Sequence, residues 1–202
     1  MRAMPINEGL RSELLAMRAE DRRVREAVLK NSSAFAGYHP KMEEVHRRNA
    51  ECLKAIIAEH GWPGRSLVGE DGSMAAWLIA QHAIGDPPFM RRALDLVREA
   101  LAKDEVSPAQ PAFLEDRICC FEGRPQIYGT QFEPGEDGLP IPYTIADPEH
   151  VDERRRAIGL NSLEERTREL RAGEQPEFDP RARAEYERQY DEWLKKTGWR
   201  SS

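Results

Sequence analysis

Between Glu8 and about Lys30 the apolar residues Leu10, Leu14, Met17, Val24 and Val28 recur at a spacing that only an α-helix gathers onto one face. Position 21 falls on that stripe, and it is an aspartate. The conflict is repeated. A second helix is expected to open at Pro40, a residue suited to a first turn, and to run through Met42, Val45, Cys52 and Ile56 to a stop at Gly61; its stripe is broken by Asn49. A third carries Ala75, Leu78 and Ile79 and then places Gln81 and His82 before "GDPPF" ends it. Asp86-Pro87 opens a fourth helix from Phe89 to about Lys103, and a fifth, from Ser107 to Gly123, brings Asp116 or Arg117 inward.

A buried polar group left unpaired costs about 1–3 kcal/mol, so a chain that carries several must pair them or use them. Each of Asp21, Asn49 and His82 can be a satisfied core group; together they can also line one pocket. For His82 the nearby Asp86 is a carboxylate one turn on, usable only if the helix runs past Gly85 and Pro87.

The texture changes at Arg124. "PQIYGTQF", the turn-rich "EPGEDG" and "LPIPYTI" predict a β-hairpin, with Pro140 and Pro142 pushing the second strand to an edge. Period-two alternation would put Gln126, Tyr128 and Thr130 on one face, and a bulge at Gly129 would bring Gln131 to the same side. "DPEHVDERRRAIG" and "NSLEERTREL" add short helices, and "RAGEQPEFDP" is the best linker. Beyond it Tyr186, Tyr190 and Trp193 fall at helical spacing on a charged helix, expected to dock on the body, on a second copy or on another partner. The resulting fold class is mainly α with a small β-hairpin (α+β): a body of about five to seven helices over 1–172, then a linker and aromatic helix over 173–202.

With 202 residues, 33% of them charged, 40% apolar and a net charge of −6, the chain reads as one globular body whose acidity disfavours nucleic-acid binding. "MRAMPINEGLRSELLAMRAEDRR" holds no apolar run of signal-peptide kind and no later stretch is of membrane-span length, so a cytoplasmic protein without a membrane partner is expected. Cys52, Cys119 and Cys120 are an odd set, expected to be reduced packing residues. Motifs for a Ser-hydrolase elbow, a P-loop and a dinucleotide fingerprint are absent. Glu43-x-x-His46 has di-iron spacing but no second copy, so no metal or cofactor is assigned.

The blocks "NAECLKAIIAEHGWPGRSLVG", "AAWLIAQHAIGDPPF", "FLEDRI", "GRPQIYGTQF" and "DPEHVDERRRAIGL" resemble a bacterial family catalogued as domain of unknown function 6624, from about the first helix to Leu160 and without the aromatic tail. Its motif falls on Trp62, Gln81, His82, Asp116, Arg117, Gln126, Tyr128, Gly129, Thr130 and Gln131, while "GDPP" after "QHA" looks like a local variation. The resemblance implies no particular activity.

The leading expectation is an enzyme of hydrolase or transferase type acting on a small polar molecule or peptide group. His82 is its general acid or base and Asp116 orients or assists it. Arg117 and Arg155 would bind negative charge, with Asp21, Asn49, Gln81, Gln126, Tyr128, Thr130 and Gln131 placing the substrate. The alternatives are a non-catalytic ligand-binding or interaction module whose polar set is structural, and a metal-dependent enzyme using Glu43, His46, His82 and nearby carboxylates.

Overall fold

The computed structural model describes residues 5–31, 38–173 and 180–201. It is mainly helical with one small antiparallel hairpin, as the stripes and the turn-rich segment predict, and it divides into two compact units at Ser107 and Pro108.

The first unit holds α1 (Glu8–Asn31), α2 (Pro40–His60), α3 (Arg65–His82) and α4 (Pro87–Leu101). α1 lies against both α2 and α3, and α3 against α4. The apolar stripes supply the core: Leu14, Leu53, Val68, Ile79, Met90 and Val97 are buried. The face of α3 is built of small residues, Gly72, Ser73, Ala75, Ala76 and Ala80, which lets neighbouring backbones come close.

Two boundaries depend on local chemistry. The stretch "RSLVGEDGS", turn-like by composition, is already helical from Arg65, with one break at Gly69 where φ is +73°. That left-handed backbone favours glycine, and the chain resumes its helix after it. At the other end α3 stops at His82, so Asp86 does not follow it on the same helix. Its carboxylate caps α4 by accepting from the Phe89 N–H at 3.1 Å and pairs with Lys54 at 2.5 Å.

The second unit holds α5 (Ala109–Phe121), β1 (Phe132–Pro134), β2 (Pro140–Pro142), a 3₁₀ turn at Pro148–His150, α6 (Val151–Ala157), α7 (Leu163–Ala172) and α8 (Pro180–Lys196). β1 and β2 pair in the register Phe132 to Pro142, Glu133 to Ile141 and Pro134 to Pro140. The hairpin is shorter than the alternation predicts. Residues before Phe132 are not strand, for a reason given below. Ser162 and Glu165 form a reciprocal capping box at the start of α7.

The centre of the expected linker, residues 174–179, lies outside the described residues. α8 sets Tyr190 and Trp193 against Phe121, whose ring also lies 4.9 Å from that of the buried Trp199. Arg200 adds hydrogen bonds to the carbonyls of Cys120 and Phe121. The aromatic face of the tail thus docks on α5 of its own chain.

Candidate functional site

Two polar clusters stand out, one in each unit. In the first unit three helices bring three side chains together. α1 turns Asp21 inward, α2 presents His46 beside its buried Met42, Val45 and Asn49, and α3 ends on His82. Their ligating atoms all lie within 4.8 Å of one another. Oδ2 of Asp21 is 2.5 Å from Nδ1 of His82, a short, strong contact, and Oδ1 is 3.4 Å from Nε2 of His46, which is long for a hydrogen bond. The two imidazoles lie tilted at 38° to each other with ring centres 4.9 Å apart. Nδ1 of His46 is held in turn by the Tyr38 hydroxyl at 2.7 Å. The arrangement runs Tyr38, His46, Asp21, His82.

Its electrostatics follow from burial. Side-chain exposure is 4% for Asp21, 10% for His46 and 17% for His82, so the carboxylate is the innermost group and His82 the one nearest solvent. Burial alone would raise the Asp21 pKa. The hydrogen bonds and positive charge of His46 and His82 outweigh it and hold the carboxyl well below the ordinary range. Tyr38 is shifted up by burial and by the charges of Glu43 and Asp21, so it stays a phenol. When that phenol donates to Nδ1 of His46, the ring proton sits on Nε2, on the side of Asp21 but 3.4 Å from its oxygen and without a completed hydrogen bond.

Asp21 and His82 line a cavity of about 410 Å³ whose wall also carries Leu15, Leu78, Arg18, Arg22 and Arg25. His46 and Tyr38 line a smaller one of about 140 Å³ with Glu43 and Asp86. Asn49 sits nearby with a structural bond, its amide donating to the Met17 carbonyl at 3.3 Å and tying α2 to α1; Gln81 is buried beside His82 in sequence.

The second cluster is a side-chain scaffold for one loop. Asp116, fully buried on α5, accepts from the backbone N–H groups of Ile127 (2.7 Å), Tyr128 (3.0 Å) and Thr130 (2.9 Å). Those donors would otherwise belong to a strand ladder, which is why residues 127–130 curl round the carboxylate and β1 begins only at Phe132. Gly129 makes the curl possible: its φ is +65°, and a Cβ there would stand 2.8 Å from Leu163 Cδ1. Gln126, also buried, accepts from the Gln131 N–H at 2.9 Å and donates to the carbonyls of Gln131 and Tyr143. Arg155, 2% exposed, donates to the carbonyls of Tyr128, Gly129 and Asn161. Arg117 donates to the Gln131 side chain at 3.3 Å, and Gln131 to the Thr130 hydroxyl at 3.0 Å.

The sequence reading is therefore sorted by the structure into two groups. It assigns Asp116 to His82, but the carboxylate on His82 is that of Asp21, and the oxygens of Asp116 are taken by backbone donors. It assigns Arg155 to an anion, yet its guanidinium is directed at main-chain carbonyls. Asp21 and His82 do meet, while Asn49 and Gln81 are the further candidates of the same unit. What the stripes did not give was His46 as the second partner of Asp21. A signal was available: position 46 lies four after Met42 and three before Asn49, on the edge of the buried face of α2. For Tyr38, ahead of the helix, there was none.

Burial sets two of the cysteines against thiolate chemistry. Cys52, Cys119 and Cys120 are free thiols, and burial raises the Cys119 pKa and pushes that of Cys120 up to about 12, away from the thiolate form. Among the described residues no helix is long and apolar enough to cross a membrane.

No curated protein and no solved structure shows significant similarity to the chain. Residues 8–174 match a family model, a span that takes in both polar clusters and stops short of α8. The chain belongs to the family of unknown function DUF6624.

Proposed function

We propose that the chain is an enzyme that works by general acid/base chemistry at His82, of hydrolase or transferase type, on a small polar molecule or peptide group. The observation that carries this reading is the bond between Oδ2 of buried Asp21 and Nδ1 of His82 at the wall of a cavity of metabolite size. Asp21 fixes the ring's tautomer and orientation and stabilises the imidazolium formed when His82 takes a proton, which leaves Nε2 as the atom that exchanges protons with substrate. His46 and Tyr38 hold the far side of the carboxylate and are positioning residues. Asn49 and Gln81 are proposed to support the pocket wall, and Asp116, Arg117, Gln126, Tyr128, Thr130, Gln131 and Arg155 to order the loop of their own unit.

The test is turnover of a metabolite and peptide panel, followed by mass spectrometry, for the wild type and His82→Gln. The variant should retain its melting temperature within a few degrees and lose about 10²–10⁴-fold in rate. A variant that turns over at the wild-type rate would end the reading.

A metal-dependent reading has one observation in its favour: Nε2 of His46 is buried, lacks a hydrogen-bond partner and faces the same carboxylate as His82. Against it stands the 2.5 Å between Asp21 and His82, because a tetrahedral ion with bonds of about 2.1 Å keeps its donors roughly 3.4 Å apart. Elemental analysis of the purified chain distinguishes the two. Substoichiometric zinc, iron and manganese are expected; one equivalent of any of them, lost in His46→Ala, would put the ion in place of the acid/base dyad.

A further inference from the structure

The wall of the larger cavity has a charge pattern unlike the chain as a whole. Of its lining residues only Asp21 is acidic, and two histidines already compensate it. Three are arginines, Arg18, Arg22 and Arg25, in a chain whose net charge is −6. Their spacing explains why they gather. Positions 18, 22 and 25 stand four and three apart on α1, so they share one stripe, and that stripe runs directly beside the buried one that carries Asp21.

Their present partners leave donors to spare. Arg22 bonds Glu26 through Nε alone, at 2.8 Å, and Arg18 and Arg25 form no ion pair with any described residue. Elsewhere on the same helix the habit is different: Arg11 is joined to Glu8 and Asp71, and Arg23 makes two hydrogen bonds to Glu20. Of the cavity's arginines, Arg18 and Arg25 have no acid among the described residues, and Arg22 is held by one nitrogen only.

We propose that this cavity binds a small phosphorylated anion, a phosphate ester or diphosphate, held by Arg18, Arg22 and Arg25 beside His82. The inference rests on the acid/base reading for its functional meaning and names the substrate class of that site. Guanidinium groups fit phosphate because their planar N–H pairs each reach two oxygens, and the several oxygens of a phosphate admit more than one arginine at once. One carboxylate is satisfied by a single such fork. The volume of about 410 Å³ suits a metabolite rather than a bare ion or a polymer. With a net charge of −6 on the chain as a whole, attraction must come from this local cluster, so affinity should fall as salt screens it.

Isothermal titration of the full chain with methylenediphosphonate, a diphosphate that does not hydrolyse, tests the site without requiring turnover. Saturable one-to-one binding is expected, weakened about tenfold by each of Arg18→Gln and Arg25→Gln and unchanged in Arg23→Gln, whose arginine lies outside the cavity. All three positions are at least partly exposed, so the variants should fold, and circular dichroism checks that they do. Absence of binding, equal binding by the folded Arg18→Gln/Arg25→Gln double variant, or equally tight binding of citrate would each overturn the phosphate assignment. His82→Gln separates this proposal from the one it rests on: it should still bind the diphosphonate while losing turnover. Binding with undiminished turnover would leave the anion site standing and remove the acid/base role, and turnover of an uncharged substrate without diphosphonate binding would do the reverse.

Discussion

Asp116→Ala is expected to destabilise the chain by about 3–5 kcal/mol, the largest single stability effect among the polar residues considered. The wild-type carboxylate accepts from three backbone N–H groups spaced over four residues, at 2.7–3.0 Å, from a fully buried position on α5. Alanine removes all three acceptors together and leaves a hole lined by donors that the surrounding loop cannot repair, since Gln126 and Arg155 hold the same loop by its other atoms. Asp116→Asn tests the role of charge separately: the shape survives, but the amide nitrogen must face an N–H, so an intermediate loss of about 2–3 kcal/mol is expected. Urea unfolding measures the loss, and hydrogen exchange locates it. Amides of Ile127, Tyr128 and Thr130 should lose protection before those of α5. Unchanged exchange at those three amides, or a loss below 1 kcal/mol, would show that the loop does not depend on this carboxylate.

The same residues explain why part of the fold was legible and part was not. A helix declares itself through neighbours three and four positions away, and α1, α2 and α4 follow the stripes of Leu10 to Val28, Met42 to Ile56 and Phe89 to Val97 closely. The segment from Gln126 to Gln131 has the alternation of a strand, yet the N–H groups of Ile127, Tyr128 and Thr130 within it go to a carboxylate 11 to 14 residues earlier in the chain. Alternation records which side chains point together; it carries nothing about where the main chain finds its hydrogen bonds. The functional cluster shows the same division. That Asp21 and His82 must do something follows from their place on apolar stripes. Which carboxylate serves which imidazole depends on how α1, α2 and α3 are rotated against one another, and one sequence fixes each stripe without fixing that rotation. Arg18, Arg22 and Arg25 were invisible for the opposite reason: on a chain with 33% charged residues, three more on a solvated face raise no question until a cavity is found beneath them.

Asp21→Asn should lower turnover by about 10³–10⁴-fold, the scale on which an imidazole loses efficiency when its orienting carboxylate becomes an amide. The substitution keeps size and burial and removes the charge that His82 and His46 both address. Stability should fall by about 2 kcal/mol near neutral pH, less than for a broken ion pair of fixed charges, because an imidazole left without its acid can shed its proton. The pH profile carries the sharper test. The folded Asp21 pKa lies below its unfolded value, so the stabilisation from its ionised form is fully present above about pH 4 and is lost as pH falls through the folded pKa. Wild type and Asp21→Asn should therefore differ by a constant amount on the acid side of histidine titration, down to about pH 4, and converge below it. Chemical denaturation of both proteins from pH 2 to 6 reads this directly. If the two curves run parallel down to pH 2, or if the asparagine variant is the more stable throughout, the carboxylate is not held in its charged form by the two histidines, and the dyad on which the catalytic reading depends has no electrostatic basis.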